Sequence, residues 1–263
     1  MHEVSLHPEN NWQLNLHDLE RVAGPRTRLI SIVNPNNPTG SILSTDEMKQ
    51  IVEICRKSGA WLHADEVYCG TELDGPETPS FWGGYDRVIC VNSLSKAYGL
   101  AGLRIGWALA SPEMIEELWR RHEYAVIAAS GPSMKLAETA LRPDKREMLL
   151  ARQKRLSAEG HRILRDWVSR QNGKFSVGPA VATSIAFVRC HLDIGSVELA
   201  DRIRTKASVL VAPGAYLGTE HHLRITVGYE PDKVKTALER ISDAVEGLPL
   251  LAAEQTVTAD SAR

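Results

Sequence analysis

A chain of 263 residues, 43% hydrophobic and 24% charged, is long enough to bury one large core or two smaller ones. Its net charge of -2 gives no electrostatic reason to expect nucleic acid or an acidic membrane surface as partner. No apolar run approaches a membrane span, and Met1–Ser5 is not expected to open a signal peptide. Cys55, Cys69, Cys90 and Cys190 are spread without close pairing, which argues against a disulfide framework or a zinc cluster and for reduced thiols in a cytosol.

In chain order, the first strand is expected over Arg28–Val33 and leads into Asn34-Pro35-Asn36-Asn37-Pro38-Thr39-Gly40. Ser44-Thr45-Asp46-Glu47 reads as a capping box, opening a helix to about Lys57 with Gly59 as its left-handed stop. Met48, Ile51, Val52 and Cys55 recur on its face at helical spacing. A second strand, Trp61–Ala64, completes a parallel βαβ unit and runs into Asp65-Glu66-Val67-Tyr68. A third, Arg87–Asn92, runs into Ser93-Leu94-Ser95-Lys96, and Arg104 opens a fourth, to Ala110. Pro112 starts a helix whose apolar face is Met114, Ile115, Leu118 and Trp119.

Beyond Pro143 the character changes. One long charged helix is expected to about Gln171, striped by Met148, Leu149, Leu156, Ile163, Leu164 and Trp167. Strands near Ser184–Val188, Val209–Ala212 and His222–Val227 follow, with helices near Val197–Lys206 and Asp232–Glu246. The chain thus divides into a mostly parallel, helix-flanked α/β part at 1–140, a smaller α+β part at 141–250, and a tail, 251–263, expected to be disordered.

In an open α/β sheet, ligands bind beyond the carboxyl ends of the strands. Lys96, Asp65, Tyr68, Asn37 and Arg104 would therefore converge, offering an amine, a carboxylate, a phenol, an amide and a guanidinium. That set suits a pyridine aldehyde phosphate and an enzyme. Each residue also has a plainer use. Lysine is usually a solvated surface residue, Asp65, Ser93 and Ser95 are good helix caps, and Asn37 between two prolines is a natural turn residue.

The motifs Asn34–Gly40, Asp65–Tyr68, Ser93–Lys96, Gly102-Leu103-Arg104-Ile105-Gly106 and His222-Leu223-Arg224-Ile225-Thr226 resemble, in order and spacing, the aminotransferase class I/II family, pyridoxal-phosphate enzymes of fold type I. The resemblance runs from about residue 10 to residue 247. It implies that pyridoxal 5'-phosphate is carried covalently on Lys96, which also acts as general base. Asp65 would pair with the pyridine nitrogen, while Tyr68 and Asn37 would bind the ring oxygen. Ser93, Ser95 and Arg104 would cradle the phosphate, and Arg224 would clamp the substrate carboxylate. Tyr216 lines the substrate side or is a core aromatic, and Glu66 receives no role.

The activity implied is amino transfer between an amino acid and a 2-oxo acid, in a cytoplasmic homodimer. A C–S β-lyase or arginine-modifying enzyme of the capreomycidine-synthase type would use the same residues, and an inactive truncated remnant is the non-enzymatic alternative. In the family, roughly the first third precedes the segment resembling Pro8–Leu14. The resemblance therefore implies an incomplete large domain, without the glycine-rich phosphate loop and the ring-stacking aromatic. A fragment, a mis-started reading frame or a second chain completing the fold would explain this.

Overall fold

Alternation of side chains along a strand puts Leu62 and Ala64 in the core while Trp61, His63 and Asp65 face the other way, half-buried. A computed structural model describes residues 1–251. Its first sheet has the order β1-β2-β3-β4, with β1 Leu29–Val33, β2 Trp61–Asp65, β3 Val88–Ser93 and β4 Gly106–Leu109. The first three are parallel, with Val33 beside Asp65 and Asp65 beside Val91. Strand β4 is antiparallel and starts where β3 ends, pairing Gly106 with Ser93. Helices α1 (Leu16–Val22) and α2 (Thr45–Ser58) cover one face, where Ile51, Cys55, Leu62, Val88 and Cys90 share a core. Both halves of the Ser44 capping box are present, and Gly59 closes α2 at φ 72°.

Two expectations are corrected here, and one helix is added that none foresaw. Helix α3 (Pro112–Val126) forms but has no buried residue, and Trp119 is 57% exposed. Amphipathicity predicts a face that wants cover, and no described element supplies it. Helix α4 (Gly131–Ala140) lies where no pattern was legible. Helix α5 (Pro143–Ser169) buries Leu149 and Leu150 but leaves Met148 56% exposed. Its inward stripe also includes Gln153, Ser157, Gly160 and His161, which a search for apolar residues passes over.

The second sheet is antiparallel, in the order β5-β6-β8-β7. Strand β5 is Phe175–Ser176, β6 Ile185–Cys190, β7 Ala212–Pro213 and β8 His222–Thr226. Strand β7 is shorter and later than expected, and β5, two residues long, escaped periodicity altogether. Helices α6 (Ser196–Ala207) and α7 (Pro231–Ala244) pack with α5 on a core of Leu164, Trp167, Val188, Leu199, Leu223 and Ile241. The amino-terminal half of α5 packs instead with Leu94, Ala97 and Tyr98, so one helix serves both halves of the molecule. A bridge between Glu72 and Ala182 and a bond from Leu73 N to Val181 O at 2.9 Å join the halves as well. Among the described residues no helix is long and apolar enough to cross a membrane. The tail expected at 251–263 lies outside the described residues except for Leu251, whose amide donates to His191 O.

Candidate active site

Asp65 ends β2, and the ladder continues past it through Asn34 N to Asp65 O and Glu66 N to Val91 O, at 3.0 and 2.9 Å. Its carboxylate accepts from Val67 N at 3.2 Å, which fixes the turn bringing Tyr68 back under the sheet end. Tyr68 is 3% exposed, yet its hydroxyl has no partner among the described residues. Burial pushes its pKa up, Arg224 opposes this, and Asp65 adds to it. The phenol therefore stays protonated at neutral pH and has a proton to donate.

Lys96 follows β3 on an exposed turn, with Nζ 5.9 Å from the centroid of the Tyr68 ring. Ser93 Oγ accepts from Ser95 N at 3.2 Å, and Gly99, at φ 66°, returns its amide to Lys96 O at 3.0 Å. These bonds tie Ser93, Ser95 and Lys96 into one compact turn.

Arg104 needs a correction. It does not open the fourth strand but precedes it by two residues, exposed, at φ 55°, with Nη1 on Ala101 O at 3.0 Å. A short 3-10 turn at Ala101–Leu103 precedes it, with Arg104 as its C-cap. At the start of an apolar strand an unpaired charge would be costly; exposed in this turn, the guanidinium carries no such penalty. Because β4 runs antiparallel, Arg104 still enters at the end of the sheet where Ser93 leaves.

Asn37 sits in a loop whose shape is set by its neighbours: Asn36 Oδ1 accepts from Thr39 Oγ1 at 2.8 Å, and Asn34 Oδ1 accepts from Leu43 N at 3.0 Å. Its own amide oxygen accepts from Arg224 Nη1 at 3.4 Å. Arg224, on β8 between Phe187 and Ala212, thus comes across from the second sheet to the first. Nothing in the sequence signalled that contact, since the two residues lie 187 apart.

Two further residues resolve differently from expectation. Tyr216 is 75% exposed and so is no core aromatic. Glu66 is 6% exposed and accepts from Ser80 Oγ at 2.8 Å and Phe81 N at 2.8 Å. It anchors the loop after Tyr68, and its only sequence signal was a carboxylate inside an otherwise assigned motif. An open concavity of about 1570 Å³ runs along β1 and the first eight residues. It reaches the site only at Asn37; Lys96, Asp65 and Tyr68 do not line it, so its size says nothing about the substrate.

The donor set fits pyridoxal phosphate on an observation internal to the chain. A buried phenol without a partner is costly, and Tyr68 carries one, with the Lys96 amine 5.9 Å from its ring centroid and the Asp65 carboxylate close enough to raise its pKa. Ser93, Ser95 and Arg104 belong to the segment between β3 and β4, at the same end of the sheet, and hydroxyls and a guanidinium are groups that suit a phosphate.

Residues 1–241 match the family described as aminotransferase class I and II. The chain is 28% identical over 240 residues to capreomycidine synthase of Streptomyces vinaceus, covering 90% of this chain and 61% of that one. It is 28% identical over 250 residues to aromatic-amino-acid aminotransferase 2 of Thermococcus litoralis, covering 93% and 64%. A PLP-dependent aminotransferase from Streptococcus suis superposes with a TM-score of 0.84 at 29% identity, over 92% of this chain and 63% of that one. The chain therefore spans under two thirds of the length of these relatives. Over that span the strands, the motifs they carry and the family match coincide, and the chain belongs to the aminotransferase class I and II family.

Proposed function

We propose that this chain acts as a pyridoxal-phosphate-dependent aminotransferase, moving an amino group between an amino acid and a 2-oxo acid. The observation that carries this is Lys96 Nζ standing 5.9 Å from the ring centroid of Tyr68, whose buried hydroxyl has no partner among the described residues. When bound, pyridoxal phosphate supplies the electron sink for charge developing at the substrate Cα. Lys96 would hold the cofactor and would serve as the general base at the substrate Cα. Asp65 keeps the pyridine nitrogen protonated by pairing with it. Tyr68 and Asn37 donate to the ring oxygen, and Ser93, Ser95 and Arg104 hold the phosphate. Arg224 orients the substrate through its carboxylate. No observation favours the lyase, arginine-modifying or inactive readings over this one.

The same reading assigns residues 1–140 to cofactor binding and 141–250 to a smaller substrate-closing part, with a second copy of the chain as partner and the cytoplasm as location. The test is borohydride reduction of the chain with pyridoxal phosphate, followed by peptide mapping. The label is expected on Lys96; label elsewhere, with Lys96 bare, would end the assignment.

A further inference from the structure

Two loops bring the reacting groups together: Asp65–Phe81 carries Tyr68, and Ser93–Arg104 carries Lys96. Both are tied to one side chain of α5. Arg146 Nη1 and Nη2 donate to the two Glu77 carboxylate oxygens at 2.8 and 2.6 Å. Its Nε donates to the hydroxyl of Tyr98 at 3.2 Å. Tyr98 lies two residues after Lys96, is 4% exposed, and meets Trp107 edge-on at 6.4 Å. Six residues further along α5, Arg152 Nη2 donates to Tyr98 O at 2.9 Å. The Tyr68 loop is pressed on the same helix at Gly70, where an added Cβ would lie 2.9 Å from Leu150.

Exposed ion pairs are ordinarily worth little, and Arg146 with Glu77 is partly exposed, at 38% and 45%. This pair differs in geometry. Most other ion pairs among the described residues join positions three or four apart on one helix, whereas this one joins residues 69 apart. It also engages both carboxylate oxygens while the third guanidinium nitrogen satisfies a buried phenol. A planar fork can hold two directions at once in a way that a lysine ammonium cannot.

We propose that Arg146 is a positioning residue that sets Lys96 relative to Tyr68, by holding Glu77 on one loop and Tyr98 on the other against α5. Arg152 is the second tie on the Lys96 side. The proposal rests on the reading of Lys96 as the cofactor-carrying residue, and its test has one arm that does not depend on it. In that arm, amide hydrogen exchange is measured on the full chain without cofactor. Arg146→Gln should speed exchange about fivefold or more in both 66–81 and 94–104. Glu77→Gln should do so only in the first segment and Tyr98→Phe only in the second. Unchanged protection of 94–104 in Arg146→Gln would overturn the proposal.

In the second arm, pyridoxal phosphate is added and its visible absorbance is followed against pH. Arg146→Gln should move the midpoint by about 0.5 pH unit or more, because the spacing of Lys96 from Tyr68 and Asp65 changes. Loosened loops with an unmoved midpoint would make Arg146 merely structural and would also overturn the proposal. If the unaltered chain takes up no pyridoxal phosphate, the functional reading falls, while exchange still decides whether Arg146 couples the two loops.

Discussion

A tyrosine hydroxyl buried without a partner costs stability in the chain alone, and Tyr68 carries one. Replacing it by phenylalanine removes that penalty without opening a cavity. Tyr68→Phe should therefore leave the cofactor-free chain as stable as before, or more stable by about 1 kcal/mol. The same change should weaken pyridoxal phosphate binding about tenfold, because the donor to the ring oxygen is lost. Urea unfolding and an absorbance titration check the two halves; a destabilised chain with unchanged affinity would make Tyr68 an ordinary core residue. Residues of this kind were legible early because each follows a strand directly. Glu66 was not, since nothing local says whether a carboxylate beside Asp65 faces solvent or, as here, Ser80 and Phe81 N.

At the scale of elements, α5 decides most. Its inward face carries Gly160, where a Cβ would land on the Val227 carbonyl oxygen. The clash is with backbone one residue past the end of β8, the strand that bears Arg224, and cannot be relieved by a rotamer change. Gly160→Ala should cost about 3 kcal/mol or more and displace Arg224, visible as a lower unfolding midpoint. Substitution of the α2 cap, Ser44→Ala, should cost only about 1 kcal/mol. Next to Gly160, His161 lies 4% exposed with Nε2 on Thr183 O at 3.1 Å. Since the carbonyl can only accept, Nε2 carries a proton, and burial disfavours a second one on Nδ1. Burial depresses its pKa below 6.5, as it does that of His222. A depressed base takes up protons more readily when unfolded, so its contribution is present above pH 6.5 and lost as pH falls through the folded-state value. Unfolding free energy should thus drop between pH 7.5 and pH 5, and His161→Gln should flatten that slope; an equally steep slope in the variant would sink the assignment. Capping box and strand ends were readable because they depend on neighbours in sequence. The small and polar stripe of α5 was not, because Gly160 and His161 are chosen by what β8 and Thr183 place against them.

Across the whole molecule, two sheets meet where Asn37 accepts from Arg224, and it is there that sequence and tertiary structure divide the work. The sequence alone determined β1 to β3 with α2 between the first two, the long α5, β6 and β8, and the residues standing at the ends of β1, β2 and β3. Each is dictated by a period of two or 3.6, a turn residue or a cap acting over a few positions. It placed Lys96, Asp65 and Tyr68 at one end of one sheet, because strands that run parallel all end on the same side. Only the tertiary structure decided that Arg104 lies outside β4 in a left-handed turn, and that α3 keeps its apolar face uncovered. It also decided that a guanidinium from β8 and another from α5 are aimed at loops of the first sheet. Those outcomes depend on which surfaces find partners across long separations in the chain, and that is a matter of packing which no local pattern of residues encodes.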